Sequence, residues 1–239
     1  MIRTKRFMGL LVCLFLLATY LVAQSRSAQA GSASATFLPQ VMIAPRGPNL
    51  LPNPSFEQGW YHQDDLPELQ LPDKWQFAYA EGKNALDPDP WNEWVRPETR
   101  VLPSAFLPPD EHDLFIWDGD QTVKIFKGSG AISFELTTAV SLTPGTYILE
   151  INVFPDLVVG YDTNGQKIWA PDPLSGEVKL IAGNGTTGWI LPTFGEKNRL
   201  RTTFTVSKAQ TVVVGAAMRG RWAIQNNGWF MDDWWLYQQ

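Results

Sequence analysis

A short segment in the first half of the chain carries the side chains best suited to binding chemistry. Trp91 and Trp94 are followed by Arg96 and Glu98, in a stretch interrupted by many prolines. An indole ring offers a flat apolar face to the C–H groups of a sugar ring, while nearby polar groups fix the hydroxyls. The Arg96 guanidinium can bracket a carboxylate or a vicinal diol, with Glu98 orienting it. The alternative is an Arg96–Glu98 ion pair that pins a long loop to a sheet.

Four more residues are candidates to line the same groove, because they lie in similar polar or glycine-containing surroundings. They are His62, Trp117, Trp169 and Trp222. The chain has 11 tryptophans, more than the packing of one domain needs, so we expect some of them to be exposed. For any single tryptophan the competing interpretation is core packing, since Trp is highly buried on average. We assign Trp75 and Trp234 to the core.

The residues that support catalysis are few. The only histidines, His62 and His112, have no second histidine at metal-ligand spacing, so we expect no zinc site. The only cysteine, Cys13, lies in an N-terminal apolar run, and the sequence has no Gly-x-Ser-x-Gly motif. We therefore expect no enzymatic activity. One alternative stays open, a glycosidase or lyase using a pair of carboxylates. The candidates for that pair are Glu57, Glu93, Glu98, Asp118 and Asp120.

The N-terminus has the features of an export signal. Basic residues precede an apolar run from Phe7 to Ala23, and Ala28-Gln29-Ala30 is a small-residue cleavage pattern. We predict a cleaved signal peptide over residues 1–30, a flexible tether over 31–47 and one domain over 48–239. The expected location is secreted, extracellular or at the cell surface. A membrane would be a partner only if the signal stays uncleaved as an anchor.

The charge of the processed chain argues against nucleic acid as a partner. Removal of residues 1–30 takes away four basic residues, which leaves 15 basic against 24 acidic residues and a net charge of −9. Nucleic-acid binding requires basic surface that releases counterions from phosphates, and the sequence has no basic run. Without Cys13 the processed chain can form no disulfide, so a hydrophobic core must hold it together.

The second half of the chain has the period-2 alternation of half-buried strands. In Ala131–Thr137 the apolar residues Ile132, Phe134 and Leu136 alternate with polar ones. Similar patterns cover 147–154, 200–206 and 211–218. Turn dipeptides separate them, at Pro144-Gly145, Asn164-Gly165, Asn184-Gly185 and Asn227-Gly228. Residues 48–113 are proline-rich and predict long surface loops.

Motifs near the two ends of this region resemble one family. Asn49-Leu-Leu-x-Asn-x-x-Phe-Glu57, Leu71-Pro-Asp-Lys-Trp75 and the closing Phe230-Met-Asp-Asp-Trp234 are similar to motifs of galactose-binding-like jelly-roll domains, which are common among carbohydrate-binding modules. The resemblance covers residues 48–239. It implies an all-β jelly-roll sandwich of two antiparallel sheets with long loops.

The resemblance also implies a structural calcium ion between Glu57 and Asp232. In the family, a carboxylate after the first motif's Phe and one from the last strand often hold calcium at a sandwich edge. Strict alternation would place Phe230, Asp232, Trp234 and Leu236 on the core side of the last strand. The alternative is that both carboxylates accept backbone N–H groups or pair with an Arg, because two carboxylates alone cannot fill a calcium shell.

The expected function is therefore non-catalytic glycan binding, by aromatic stacking plus a few polar contacts. The expected partner is a polysaccharide or glycan. The alternative is a cell-surface adhesion or assembly protein without a sugar ligand, whose exposed aromatic residues contact another protein.

Overall fold

The computed structural model describes residues 46–183 and 185–239. The predicted signal peptide and nearly all of the predicted tether lie outside these residues. The regular structure of the described part is mostly strands, and the long strands form two antiparallel sheets that pack face to face. No helix in residues 46–183 and 185–239 has the length and apolar character needed to cross a membrane.

The first sheet, sheet one, contains most of the long strands. Its members are β6 (Glu98–Pro103), β7 (Gln121–Gly130), β9 (Gly145–Tyr161), β10 (Lys167–Trp169), β13 (Asn198–Val206) and β15 (Ile224–Gln238). The order across it is β10-β9-β15-β7-β6, and β13 pairs with the first half of β9. The last strand, β15, is therefore central, and it pairs with β9 on one side and β7 on the other.

The second sheet, sheet two, has the order β12-β11-β14-β8-β3. Its members are β3 (Gln76–Tyr79), β8 (Ser133–Leu142), β11 (Glu177–Ala182), β12 (Gly185–Thr186) and β14 (Gln210–Arg219).

The proline-rich region supplies the short elements that connect the sheets. Two small hairpins pair β1 (Trp60–His62) with β2 (Gln70–Pro72) and β4 (Gly82–Lys83) with β5 (Glu93–Trp94). Over the whole described part of the chain, the helical elements are 3-10 turns at Gln63–Asp65, Ser104–Phe106, Pro109–Glu111 and Pro173–Ser175, and one short helix, α1 (His112–Phe115).

The main hydrophobic core lies between the two sheets, as the alternating patterns predict. Ile132, Phe134 and Leu136 are buried in it, together with the inward residues of β9 and β14. Trp75 and Trp234 are 1% and 0% exposed, and their rings pack edge to face with centroids 5.2 Å apart. The assignment of both tryptophans to the core is confirmed. Burying two such large side chains contributes several kcal/mol of hydrophobic free energy.

A smaller cluster covers the outer face of sheet one. Phe115 of α1 stacks on Phe230 of β15, with ring centroids 3.7 Å apart, and contacts Phe154 of β9. Val153, next to Phe154, faces the main core instead. Sheet one is thus buried on both faces along its centre, because α1 and its flanking loops pack over it.

The expected core side of the last strand is wrong for Phe230 and Asp232, whereas Trp234 and Leu236 lie in the core as expected. Trp229 and Met231 face the main core and Phe230 faces the outer cluster, so Asp232 also lies on the outer side. One extra residue in β15 then shifts its register against β9, and Asp233 adopts a left-handed conformation with φ 48°. This β-bulge turns Trp234 and Leu236 back into the core.

The turn prediction at Asn227-Gly228 is also wrong. Both residues lie within β15, paired with β7 and β9. The Asn227 side chain is fully buried, where it donates to the Gly130 carbonyl and accepts from the Trp229 indole. Pairing on both sides outweighs the local turn preference of the dipeptide.

The first motif closes the sandwich against the last strand. The Asn49 amide donates to the Trp234 carbonyl (2.8 Å), and its oxygen accepts from the Leu236 N–H (3.1 Å). The Leu50 N–H adds a bond to the Leu236 carbonyl, and the Trp234 N–H donates to Pro54. These bonds join segments about 185 residues apart in the sequence.

Candidate functional site

A groove of about 310 Å³ lies on the outer face of sheet two. Its floor is a row of paired residues that crosses four strands, in which small and charged side chains alternate. Ala78 of β3 pairs with Glu135 of β8, Glu135 with Ala217 of β14, and Ala217 with Lys179 of β11. The small alanines leave room above the sheet, so the register itself creates the groove.

Aromatic side chains form the walls of this groove. Trp94 and Tyr79 line it from the β3 side, and Trp189 lines it from the β11 side. Trp94 is held in place because its indole N–H donates to the Gly220 carbonyl at 3.0 Å. Trp94, Tyr79 and Trp189 are each partly exposed, so each keeps ring surface that a ligand can contact.

Charged side chains supply polar groups on the groove floor. The Arg219 guanidinium carbon lies 3.8 Å from the Trp189 ring centroid, and Lys179 Nζ lies 4.7 Å from it. Arg219 Nε also bonds Glu177 at 2.9 Å, which fixes the guanidinium. Glu135 is exposed on the same floor. The groove therefore offers N–H donors at one end and a carboxylate acceptor near its middle.

Arg96 and Glu98 do not form the pair that their spacing suggests. Arg96 pairs with Glu68 at 2.9 Å and lies next to Tyr79, whose hydrogen bond raises the arginine pKa above its ordinary value. Glu98 instead pairs with Arg100 (3.4 Å) and Lys127 (3.3 Å). Arg96 thus supports the groove wall from behind, while Glu98 belongs to an ion-pair network on the surface of sheet one.

Trp91 and His62 lie outside the groove. Trp91 is 90% exposed and only its backbone N–H is held, by Asp89. His62 is exposed on β1, with its ring edge-on to Trp60 at 5.2 Å. The structure brings Trp94 and Arg96 close to one groove but does not add Trp91 or His62 to it.

The remaining three tryptophan candidates are dispersed over the molecule. Trp117 lies beside α1 with Lys197 Nζ 4.6 Å from its ring centroid. Trp222 anchors a loop, because its indole donates to Asp172 at 2.8 Å. Trp169 lines a separate cavity on sheet one. The expectation that these residues share one groove is not met, because Trp117 and Trp169 line separate cavities beside the outer cluster of sheet one and Trp222 lines neither of them.

The two candidate metal residues hold the same loop, residues 117–121. Asp232 Oδ2 accepts the N–H groups of Trp117 (2.7 Å) and Asp118 (2.9 Å), and its Oδ1 accepts the Asp233 N–H (2.6 Å). Glu57 Oε1 accepts two more N–H groups of the loop, at 2.8 and 2.7 Å. Burial raises the pKa of Asp232 to about 7, despite its three N–H donors.

These contacts match the alternative in which both carboxylates accept backbone N–H groups. Calcium needs six to eight oxygen ligands, and the contacts of Glu57 and Asp232 are N–H donors. Within residues 46–183 and 185–239, no cluster of three or more His, Cys, Asp or Glu side chains could hold a metal ion. The N–H contacts of Glu57 and Asp232 therefore do not fit a calcium shell, and the chelation test below decides between these contacts and the calcium ion that the resemblance implies.

Sequence reasoning missed most of the groove floor. Glu135 was visible as an outward residue of the alternating β8 pattern, but nothing in the sequence paired it with Ala217 and Lys179. The pairing depends on strand order, since β8, β14 and β11 are neighbours only in the folded sheet. Small residues at outward positions, such as Ala78 and Ala217, were the available signal for a groove.

Comparison with one known structure, a carbohydrate-binding module, supports this fold. The chain is similar to the carbohydrate-binding module TmCBM61, solved in complex with β-1,4-galactotriose, at 15% identity and a TM-score of 0.50 over 81% of this chain and all of that one. A carbohydrate-binding module from Cellvibrio mixtus lichenase 5A, solved with cellotriose, matches 59% of this chain and 87% of its own, at 13% identity and a TM-score of 0.32. The adhesin domain of Lys-gingipain matches 77% of this chain and 96% of its own, at 15% identity and a TM-score of 0.38. No protein-family model matches the sequence, and the search of curated proteins found no match either.

The fold is thus a galactose-binding-like jelly roll of the kind found in carbohydrate-binding modules, as the end motifs predict. At 15% identity the likeness to TmCBM61 establishes the architecture only, because one fold supports many functions. The function has to be argued from the groove.

Proposed function

We propose that the protein binds glycans without catalysis, in the groove on the outer face of sheet two. The observation that supports this most directly is the pairing of two partly exposed tryptophans, Trp94 and Trp189, across an open floor that carries charged groups. Sugar rings stack on indoles through their C–H faces, and their hydroxyls need donors and acceptors at fixed positions. Arg219, Lys179 and Glu135 provide both.

The dimensions of the groove suit a short stretch of a sugar chain. A volume of about 310 Å³ is at the lower end of ligand-binding pockets, and the groove is open rather than enclosed. An open groove with few enclosing walls favours modest affinity, in the millimolar to micromolar range, because little ligand surface is buried. The β-1,4-galactotriose with which TmCBM61 was solved is a reasonable first probe.

The test is binding to a panel of soluble oligosaccharides, including β-1,4-galactotriose and cellotriose, measured by calorimetry. Trp94→Ala and Trp189→Ala should each weaken binding at least about tenfold, because stacked aromatic residues are typical binding hot spots. Trp91→Ala is the matched control, since it removes an exposed indole outside the groove. Equal affinity of all three variants and the unchanged protein would exclude this groove as the site.

We further propose that the protein is exported and acts as a binding module without hydrolytic activity. Expression of the full chain in a secreting host should give a mature N-terminus at Gly31, determined by N-terminal sequencing. Incubation with the same polysaccharides should release no reducing ends. Release that is lost on substitution of a carboxylate would instead indicate a glycosidase.

A second candidate function, protein-mediated adhesion or assembly, is supported by one exposed patch. Phe106 is 77% exposed and Trp60 49% exposed, and both line a shallow depression with Val101 and Leu102. Large exposed aromatic residues are common at protein interfaces. This function would be favoured over sugar binding if the protein bound no sugar on a glycan array and self-associated in a way that Phe106→Ser abolishes. Self-association is measured by analytical ultracentrifugation.

A further inference from the structure

A second cavity, of about 490 Å³, lies on the opposite face of the sandwich. It is bounded by the β9–β10 hairpin on one side and by residues 108–114 on the other. Its floor is Phe154, which belongs to the outer cluster of sheet one and not to the core between the sheets. The cavity and the sheet-two groove are therefore separated by both sheets.

Aromatic rings in this cavity are both fixed and accessible. Trp169 is half-buried, and its ring packs edge-on against Phe154 with centroids 6.2 Å apart. Gly195 lies so close to the same indole that a Cβ at position 195 would overlap its ring atoms. Tyr161, on the opposite strand of the hairpin, is 50% exposed. The cavity thus has a positioned indole and an exposed phenol at its rim.

Polar groups surround these rings at positions held by ion pairs. Lys167 Nζ bonds Glu111 at 2.8 Å and Asp156 at 2.9 Å, which joins the hairpin to the segment before α1. Asp110 and Gln166 lie at the same rim. Donors and acceptors therefore stand beside flat apolar surface, the combination that a saccharide requires.

We propose that this cavity is a second saccharide site, so that the protein binds two glycan segments at once. The proposal rests on the proposed function for its ligand class. Asp110 and Glu111 line the cavity and Asp156 pairs with Lys167 beside it, so the carboxylates here still outnumber the ammonium groups of Lys167 and the nearby Lys124. The site therefore selects neutral sugars over acidic ones. Because the two sites face opposite directions, separate chain segments occupy them and one molecule cross-links two chains.

The test follows the indole N–H signals of the 11 tryptophans in a ¹H–¹⁵N spectrum during titration with neutral oligosaccharides. The signals of Trp94 and Trp189 report the groove, and the Trp169 signal reports the second cavity. We expect both sets to shift, with Trp91 unmoved. An oligosaccharide of galacturonic acid should leave Trp169 unmoved because of the local negative charge.

The two proposals fail in different ways in this experiment. Shifts at Trp94 and Trp189 with none at Trp169 across the neutral panel would overturn the second site and leave the groove intact. No shift at any indole would overturn both proposals. A shift of the Trp169 signal alone would support saccharide binding at the cavity and overturn the proposal that the groove binds saccharides.

Variants provide an independent check. Tyr161→Ala removes an exposed ring and should abolish the Trp169 shift while the Trp94 shift persists. With a long polysaccharide, the unchanged protein should form a turbid network that Tyr161→Ala and Trp94→Ala each prevent, whereas Trp91→Ala retains it. Turbidity in Tyr161→Ala equal to that of the unchanged protein would contradict cross-linking through this cavity.

Discussion

Asp232 has an unusual position for a buried carboxylate. It is 0% exposed and lies on the outer side of β15, under residues 117 and 118. Desolvation favours the neutral form, whereas its three backbone N–H donors favour the charged form, and desolvation is the larger effect. Removing this side chain would leave several buried N–H groups without an acceptor.

The pKa of Asp232 predicts a pH dependence of stability. Its folded value of about 7 exceeds the ordinary 3.8. Between about pH 4 and 7 the native state therefore holds a proton that the unfolded chain has lost. The stabilising contribution is present below this window and is lost as the pH rises through it, by at most about 1.4 kcal/mol per pH unit.

This effect should be visible in urea unfolding of the unchanged protein and Asp232→Asn. We expect the stability advantage of the unchanged protein over the variant to be greater at pH 5 than at pH 8. The ¹³C signal of the Asp232 carboxyl should titrate with a midpoint near 7. The opposite outcome would be a carboxyl titration midpoint near 4, together with a stability advantage over Asp232→Asn that does not fall at alkaline pH. It would show that the backbone N–H donors affect the pKa of Asp232 more than desolvation does.

Glu57 predicts the outcome of metal removal. Its carboxylate accepts the Asp120 and Gln121 backbone N–H groups and the Gln121 side-chain amide, at 2.7–3.0 Å. Because these bonds close the loop without an ion, we expect chelation with EGTA to leave the melting temperature unchanged. Glu57→Ala should cost about 1–3 kcal/mol, since the loop loses its acceptors.

The same measurement tests calcium directly. Calcium would be established at this position if EGTA lowered the melting temperature of the unchanged protein and added calcium restored it. Glu57→Ala should then show neither effect. Glu135→Ala is the control, because it removes an exposed carboxylate on the other sheet.

At the scale of the strand, the bulge in β15 decides which side chains enter the core. Residue 231 faces the main core, and the extra residue at 232–233 allows Trp234 to do the same. Without the bulge, alternation along the same residues would direct Trp234 and Leu236 outward, because a one-residue shift exchanges the two faces of a strand. The bulge therefore provides both the buried Asp232 and the closed end of the core.

Deletion of Asp233 tests this role. Trp234 would then follow Asp232 directly, so regular alternation would keep Trp234 and Leu236 on the core side. We therefore expect the deletion variant to retain cooperative unfolding, followed by circular dichroism. Asp233→Asn should stay within about 1 kcal/mol of the unchanged protein, since Asn tolerates the left-handed conformation at φ 48°. A deletion variant that unfolds without cooperativity would mean that the bulge does more than set the faces of these two side chains.

The same strand shows what the sequence could and could not predict. Alternation correctly assigned Ile132, Phe134 and Leu136 to the core, because regular strands repeat every two residues. It placed Phe230 and Asp232 on the wrong face, because the bulge at Asp233 reverses the alternation between them and Trp234, and a bulge depends on the local backbone and on pairing with β9. For the site, Trp94 was identified as a candidate from its exposed setting. Its partners Lys179 and Glu135 depend on the neighbours of β14, which no local pattern encodes.

At the scale of the whole molecule, the two faces of the sandwich differ in their charged groups. The sheet-two groove combines Lys179 and Arg219 with Glu135, whereas Asp110, Glu111 and Lys167 line the sheet-one cavity, with Asp156 paired to Lys167 beside it. The core between the sheets is continuous, so both faces are carried by one rigid body of close-packed side chains. Their relative orientation is therefore fixed by the fold rather than by a linker.

The bonds between the first motif and β15 predict where the folding unit begins. A protein of residues 46–239 retains every contact of Asn49 with Trp234 and Leu236, so it should unfold at the same temperature as residues 31–239. A protein of residues 58–239 lacks Asn49 and also Phe56, which is 0% exposed and packs 5.3 Å from Trp75. We expect it to lose cooperative unfolding, because removing a buried Phe costs about 3–5 kcal/mol and the lost strand-joining bonds add about 1–3 kcal/mol for each buried group left unpaired, which together are a large share of the 5–15 kcal/mol by which a domain is stable.

Asn49→Ala in residues 46–239 separates the hydrogen bonds from the packing. It should lower the free energy of unfolding by about 1–3 kcal/mol, because the Leu236 N–H and the Trp234 carbonyl lose their partner. Asn164→Ala, in the exposed β9–β10 turn, is the matched control and should have a smaller effect. If residues 46–239 melt well below residues 31–239, the folding unit begins before Arg46, and the segment 31–45 is part of the domain rather than a tether.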